Sequence, residues 1–400
     1  MSSFDVVVAG AGIVGCATAW ELARRGVRVC LLDRGEVSGA TTGLGEGNVL
    51  CCDKRPGPGL DLAVRGLALY DEIEELLGEE AGIRRKGALV VHAGEEGWAA
   101  EPARLRELRA TGVECSLLDA GDVCEAEPEL RGELRGASFF PGDLQCAPRA
   151  IARGLAREAA RLGASVETGR EVRSIVVNGG LRRGVRHVAA DMSPLREGPL
   201  RVEGVVTPEG RFRAEHVVIA CGPWSAPLAL SAGLELPLEP RKGQLVRLER
   251  RPGFLRHKVI DGGYMATVES ADADLQVSTV IETTLHGNVL VGSSRERRGF
   301  DLSVDPAVSE ALLRQATRLA PGIEKLDVDT AWAGLRPWLP DGLPAIGPTS
   351  VAEGLFVATG HEGAGVAHGP ITGRLIAQAI CGQEPDLPLA AFDPDRFSPG

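Results

Sequence analysis

A chain of 400 residues exceeds what one hydrophobic core usually organises, so two domains are expected. No apolar run reaches the roughly 18 residues of a spanning helix, and a net charge of −11 argues against a nucleic-acid partner. The nine cysteines are scattered and contain no C-x-x-C, which suggests neither a zinc site nor a cysteine-bound iron–sulfur cluster, and no metal is expected.

The N-terminus passes straight into a strand without a basic segment or cleavage site, so no secretory signal is expected and a cytoplasmic enzyme is. Asp5 to Ala9 is a short apolar run suited to a strand buried on both faces. Gly10, Ala11, Gly12, Ile13, Val14 and Gly15 follow with G-x-G-x-x-G spacing, then a helical pattern to about Arg25. Gly26 stops it, and Val27 to Leu32 is a second strand ending at Asp33. This βαβ unit with a terminal acid is a dinucleotide fingerprint. Gly10 permits the tight turn, Gly12 lets backbone approach a pyrophosphate, and Gly15 lets the helix pack on the sheet. The helix start offers N–H groups and a positive dipole end to phosphate, and Asp33 is placed to accept ribose hydroxyls.

Residues 34–52 are polar and Gly-rich, and read as a flexible loop leaving the ligand-binding edge of the sheet. Arg34, Thr41, Thr42, Gly47 and Asn48 are its candidates for contacting a pyrophosphate or the ribityl chain of a flavin. Within it Cys51-Cys52 is an adjacent pair, for which free thiols are the default. A helix over 60–77, a strand over 87–92 and a helix over 102–111 precede an irregular link at 123–130. Residues 136–146 read as strand and turn, and 148–162 as a helix. Strands follow at 165–167, 172–177 and 202–207, with a charged loop over 178–200. His216 to Pro223 is a buried strand entering a Gly-Pro turn, a second approach to a cofactor. Short alternating strands from 238 to 300, including HKVIDGGYMATVE, suggest a separate antiparallel sheet. A helix over 308–319, a strand over 328–336, a buried strand over 355–359, a Gly-rich turn over 360–370 and a helix over 371–381 complete the pattern.

Four segments in this order resemble the FAD-dependent D-amino-acid oxidase superfamily, which includes glycine and sarcosine oxidases, D-amino-acid dehydrogenases and the flavin subunits of opine and hydroxyproline dehydrogenases. They are the fingerprint at Gly10–Gly15, VVIACGPWS at 217–225, GLRPWLPDGLPAIGP at 334–348, and TGHEGAGVAHGP at 359–370. The resemblance implies an α/β fold, with a Rossmann-like FAD-binding domain interleaved with an α+β substrate domain on a mostly antiparallel sheet. The FAD domain would comprise 1–50, 145–235 and 325–400, and the substrate domain 51–144 and 236–324.

It also implies roles for single residues. Arg336 matches the arginine that grips the substrate carboxylate, which a guanidinium can do with two parallel hydrogen bonds. Gly363, Ala364, Gly365 and Val366 match the turn along the isoalloxazine ring. A helix starting near Pro370 would then point its positive end at the flavin. Val172, Ala220, Cys221, Gly222, Trp224 and Gly334 fall in cofactor-contacting segments. His361 lies near the flavin in this pattern, and Tyr264 where relatives place a substrate-facing hydroxyl. Against these stand ordinary turn and core roles for both. Two departures are visible: Asp33 replaces the usual Glu, and LGEGNVLCC differs from the serine- and arginine-rich loop of many relatives. No residue is assigned to covalent attachment, so non-covalent FAD is expected. The implied reaction is oxidation of the C–N bond of an amino acid or N-substituted amino acid, by hydride transfer to flavin N5, giving an imine that hydrolyses. Four settings stay open: an oxidase, a dehydrogenase subunit passing electrons to a partner, a tailoring enzyme acting on a larger metabolite, and a non-catalytic flavin-binding or assembly subunit, against which the presence of Arg336 counts. A homo-oligomer is a further partner possibility.

Overall fold

The computed structural model describes residues 3–178, 200–269 and 274–398; most of the charged loop expected over 178–200 lies outside the described residues. In chain order the strands begin with β1 (Ser3–Ala9), β2 (Val29–Leu32), β3 (Asn48–Val49), β4 (Ala88–His92), β5 (Ser116–Asp119) and β6 (Gly136–Phe140). They continue with β7 (Leu144–Gln145), β8 (Ser165–Glu167), β9 (Ser174–Asn178), β10 (Arg201–Thr207), β11 (Gly210–Ile219) and β12 (Glu239–Arg250). The last are β13 (Lys258–Asp261), β14 (Gln276–Thr283), β15 (Asn288–Arg295), β16 (Val328–Trp338), β17 (Ala345–Pro348) and β18 (Leu355–Thr359). The helices are α1 (Ile13–Ala23), α2 (Thr41–Leu44), α3 (Pro58–Leu77), α4 (Glu95–Ala110), α5 (Ala120–Ala126) and α6 (Pro148–Arg161). After them come α7 (Ser225–Ser231), α8 (Tyr264–Glu269), α9 (Pro306–Leu319) and α10 (Gly365–Ile380). Among the described residues no helix is long and apolar enough to cross a membrane.

The chain divides into two compact units. Unit one is Met1–Gly43, Pro148–Glu239 and Pro337–Gly400; unit two is Leu44–Ala147 and Pro240–Arg336.

Unit one is built on a sheet of order β17-β18-β11-β1-β2-β8. β18, β11, β1, β2 and β8 run parallel, and β10 and β9 extend from the start of β11 as antiparallel strands. Val6, Val7 and Val8 are fully buried, as β-branched residues covered on both faces of a parallel sheet should be. α1 is buried along almost its whole length and packs against α10. The two backbones approach so closely that a Cβ on Gly373 would lie 2.5 Å from the Ala17 carbonyl carbon. The buried Glu21 carboxylate closes this contact with Arg25, just past the end of its own helix, and with Arg374 of α10 at 2.9 Å. A charge this deep is tolerated because it is paired on two sides.

Unit two is built on a sheet of order β16-β12-β15-β14-β13-β4-β6-β5. Its registered pairs are antiparallel except β13 against β4, which is parallel. A core of Leu89, Val91, Val246, Val259, Ile281, Val291, Leu312 and Leu319 lies between this sheet and α9. All nine cysteines are free thiols. The backbone amides of Cys51 and Cys52 both donate to the buried Asp143 carboxylate, at 2.8 and 3.1 Å.

Several local expectations are corrected. The segment 34–52 is not a free loop: the Ser38 amide donates to the Ala11 carbonyl at 2.8 Å, and α2 and β3 lie within it. The link at 123–130 contains the end of α5, whose Asp119 caps the Asp122 amide while Asp122 caps Asp119 in return. The helix expected from 102 begins at Glu95, so Pro102 lies inside α4. The strand expected through Tyr264 stops at Asp261, and α8 begins at Tyr264. The last helix starts at Gly365 rather than near Pro370, which is an interior residue of α10.

Candidate functional site

In unit one, the turn between β1 and α1 has no room for side chains. Gly10 has φ +106°, and a Cβ there would lie 2.4 Å from the Ala220 carbonyl oxygen. A Cβ on Gly15 would lie 1.8 Å from the Gly10 carbonyl oxygen. Gly12 is the N-cap of α1 and offers no side-chain cap. Its neighbour Ile13 donates its amide to the Thr42 hydroxyl at 3.0 Å, so α2 is tied to the start of α1. Arg149 holds the next carbonyl, that of Gly43, at 3.2 Å. This is backbone stripped of Cβ atoms beside a helix N-terminus, the surface that a pyrophosphate requires. An FAD therefore fits the residues present, and the Gly10–Gly15 turn is the part that would hold its pyrophosphate.

Asp33 sits at the end of β2 but does more than await a ribose. Its Oδ2 accepts the Ala11 amide at 2.7 Å and its Oδ1 accepts the Gly35 amide at 2.8 Å. A carboxylate has about four acceptor positions, so capacity remains for ribose hydroxyls. Arg34 lies over the Trp224 ring, 4.2 Å from its centroid. At the end of β11, the Ala220 amide donates to the Ala9 carbonyl at 2.8 Å and the Cys221 thiol donates to the same oxygen at 3.2 Å. The Gly222 carbonyl accepts the Thr359 hydroxyl at 3.0 Å, joining the ends of β11 and β18. Thr41 is half-buried, its hydroxyl 3.8 Å from where a Gly222 Cβ would stand. Val172 packs on the core of unit one rather than standing free.

The Gly-rich turn after β18 is a short 3-10 turn, Glu362–Ala364, followed directly by α10. Thus Gly363 and Ala364 form the turn, and Gly365 and Val366 are the first residues of the helix. Both β1 and β18 are parallel strands followed by helices, so the starts of α1 and α10 lie at the same C-terminal edge of the sheet, where ligands of such sheets bind. His361 is buried, with its Nε2 2.9 Å from the Thr372 hydroxyl. Burial pushes its pKa down to about 3, so it is a neutral ring near pH 7. Its observed partner is a helix hydroxyl.

In unit two, Arg336 lies near the end of β16. Its Nη1 donates to the Ser294 carbonyl at 2.9 Å. The guanidinium occupies the space that a side chain at residue 243 would take: a Cβ on Gly243 would lie 2.1 Å from Nη1. Gly334, two residues earlier, would place a Cβ 3.3 Å from Leu44 Cβ. Tyr264 is buried, its hydroxyl accepting from Arg295 Nη2 at 2.8 Å, with that guanidinium also 4.6 Å from its ring centroid. Gly47 and Asn48 have local tasks. A Cβ on Gly47 would lie 1.9 Å from the Cys146 carbonyl oxygen, and the Asn48 amide is bound up with Glu46 and Lys258.

The sequence reading missed this last group. Lys258 is buried on β13, with its Nζ 3.0 Å from Glu46 and 3.2 Å from Glu282. Burial opposes its charge, but the Glu282 and Glu46 carboxylates outweigh that and raise its pKa above the usual lysine value. Burial likewise opposes ionisation of Glu46; Lys258, Asn48 and Arg336 outweigh it and hold the carboxyl below its usual value. The one signal in the sequence was the departure of LGEGNVLCC from the family loop.

Comparison with known proteins agrees with the cofactor fit. The chain is 30% identical over 402 residues to a glycine oxidase of Geobacillus kaustophilus, covering 98% of this chain and 97% of that one. It is 27% identical over 439 residues to the hydrogen cyanide synthase subunit HcnC of Pseudomonas aeruginosa, covering 99% and 97%. The crystal structure of glycine oxidase from Geobacillus kaustophilus superposes with a TM-score of 0.84 at 29% identity, covering the whole of both chains. The family model for FAD dependent oxidoreductases matches residues 5–379, and the chain belongs to that family.

Proposed function

We propose that this enzyme oxidises the C–N bond of an amino acid or N-substituted amino acid, with unit one binding FAD without a covalent bond and unit two binding the substrate. The observation that carries the reading is the setting of Arg336. A half-buried guanidinium, braced by the Ser294 carbonyl over a glycine, is a planar cation of the kind that grips a carboxylate with two parallel hydrogen bonds. Bound FAD supplies the chemistry, acceptance of a hydride. Arg336 fixes the substrate carboxylate and thereby limits the orientations of the α-C–H bond, an effect that lowers the entropic part of the barrier. Tyr264, held by Arg295, would present its hydroxyl to the substrate rather than take a proton. His361, neutral and bonded to Thr372, supports the turn into α10 instead of carrying protons. The imine product leaves and hydrolyses in water. The similarity to glycine oxidase supports small amino acids as substrates, and a cytoplasmic location suits such a metabolite.

A second reading is favoured by the relative that is named as a subunit: the chain passes electrons to a partner protein instead of to oxygen. Oxygen uptake with peroxide release by the isolated protein supports the oxidase, and turnover only with a dye or partner supports the dehydrogenase.

The test is anaerobic bleaching of the flavin by a panel of glycine, sarcosine, D-amino acids, prolines and N-carboxyalkyl amino acids, repeated on Arg336→Ala. The variant should hold FAD as the parent does and lose at least about tenfold in affinity for carboxylated substrates, the scale of a charge-assisted hydrogen bond. Unchanged kinetics remove Arg336 from the site, and no bleaching by any amine removes the proposed reaction.

A further inference from the structure

The Glu46–Lys258–Glu282 group is not used by the reaction as described, and one of its atoms is uncommitted. Glu46 Oε2 accepts from Lys258 and from the Asn48 amide. Oε1 accepts from no described residue, although the side chain is only 10% exposed. Oε1 also lies over a glycine: a Cβ on Gly292 would stand 2.5 Å from it. Gly292 is on β15, next to β12, which carries the Gly243 over which Arg336 lies. Arg336 is among the charges that hold Glu46 ionised, so the two groups are near neighbours electrostatically.

Strand geometry places the two glycines roughly 8 to 10 Å apart, from the strand spacing and the rise per residue. An α-amino acid, with a charged hydrogen bond of about 2.8 Å at each end, spans such a gap between a guanidinium and a carboxylate. At both positions the missing Cβ lets the charged group lie against its strand, Arg336 over Gly243 and Glu46, beside Leu245, over Gly292.

We infer that Glu46 Oε1 is the receptor for the substrate nitrogen, so that Arg336 and Glu46 together read an α-amino acid by its two opposite charges. The inference deepens the proposed function and rests on Arg336 as the carboxylate ligand. Lys258 is a positioning residue: it fixes Oε2 and leaves Oε1 over Gly292 without a described donor. The same oxygen then serves the chemistry. Bound FAD would supply hydride acceptance; once the ammonium proton has passed to water, loss of the α-hydrogen with its electron pair would let the nitrogen lone pair form the C=N bond. The nitrogen becomes cationic, and the Glu46 carboxylate faces the charge that develops. Glu46 is not the base that removes the ammonium proton, since its neighbours keep it a weak one.

The test uses holoenzyme and defined probes. Glycine, sarcosine and proline carry both charges; acetate and pyrrole-2-carboxylate carry the carboxylate without an ammonium. Binding is followed by perturbation of the flavin spectrum, and reaction by anaerobic bleaching. For Glu46→Gln, the zwitterions that bind the parent should weaken at least tenfold, while the two simple carboxylates bind equally or more tightly because a negative charge has gone. Arg336→Ala should weaken both classes. Where Glu46→Gln fails to load FAD, the double variant Glu46→Gln/Lys258→Met removes both buried charges together and should give the same split. Equal weakening of both classes, or of neither, overturns the role of Glu46. Failure of Arg336→Ala to weaken the simple carboxylates, or failure of every zwitterion to perturb or bleach the parent, overturns the underlying reading and with it this one.

Discussion

The Asp33 carboxylate accepts the Ala11 amide at 2.7 Å, so the acid at the end of β2 braces the turn that separates β1 from α1. Ala11 is buried. Asp33→Ala would leave that amide without its acceptor and take away the proposed ribose ligand at once. FAD affinity is expected to fall by at least about tenfold, since a charged hydrogen bond and a buried unsatisfied donor each cost on the order of 1–3 kcal/mol. Asp33→Asn, which keeps an acceptor oxygen, should recover part of the loss. Titration of the apoprotein with FAD measures both, and equal dissociation constants for Asp33→Ala and parent would show that the brace is idle.

Gly243 is expected to govern substrate affinity without touching the cofactor turn. A Cβ there would stand 2.1 Å from Arg336 Nη1 and 2.6 Å from the Ser294 carbonyl oxygen. The second contact is with backbone, so the guanidinium must move or the strands must part. Gly243→Ala should raise KM for carboxylated substrates several-fold or more, with FAD content near that of the parent. A variant with parental KM would mean that the fork tolerates displacement.

Acid should destabilise the protein partly through His361. In the folded state burial keeps this ring neutral down to about pH 3, against an ordinary value of 6.5. The unfolded chain therefore takes up a proton that the native protein does not. This contribution makes stability rise with pH between about 3 and 6.5 and fall as pH drops through that window. His361→Gln should flatten the dependence of stability on pH there by up to one proton. Denaturant titrations at several pH values decide it: parallel curves for parent and variant would remove His361 as the sensor.

The parts of the molecule that follow from neighbouring residues were legible in the sequence. The β1-α1-β2 unit is local, its glycines and its acid fall within one run, and the structure puts them at one turn. Segments whose outcome depends on distant packing were not. Pro370 suggested a helix start, because an interior proline removes a hydrogen bond and crowds the preceding turn. α10 carries it because the helix lies against α1 over a line of small residues, with Gly369 and Gly373 facing Ile13 and Ala17. Pro102 misled in the same way within α4. The α5 start had a readable signal in its reciprocal Asp119–Asp122 cap. Glu46 was marked only by the departure of its loop, LGEGNVLCC, and Lys258 and Glu282 by nothing, since no local pattern reports that residues so far apart in sequence converge. The strand read through Tyr264 failed for a simpler reason: Gly262 and Gly263 break the run, and a helix follows.

The strand order of unit one has a consequence for how the protein is made. β1 pairs with β11, Val8 beside Val218, and β18 joins only on the far side of β11. A polypeptide leaving the ribosome thus displays the edge of β1 long before its partner has been translated. The residues of unit two end at Arg336, whereas α10 and β18 come later still. Vectorial synthesis therefore lets unit two close first and keeps the nucleotide turn on an incomplete sheet until near the end. FAD can act as a ligand chaperone only at that final stage. A chain cut before α10 would expose the face of α1 that packs on it, and its expected fate is aggregation or proteolysis rather than a weakened enzyme.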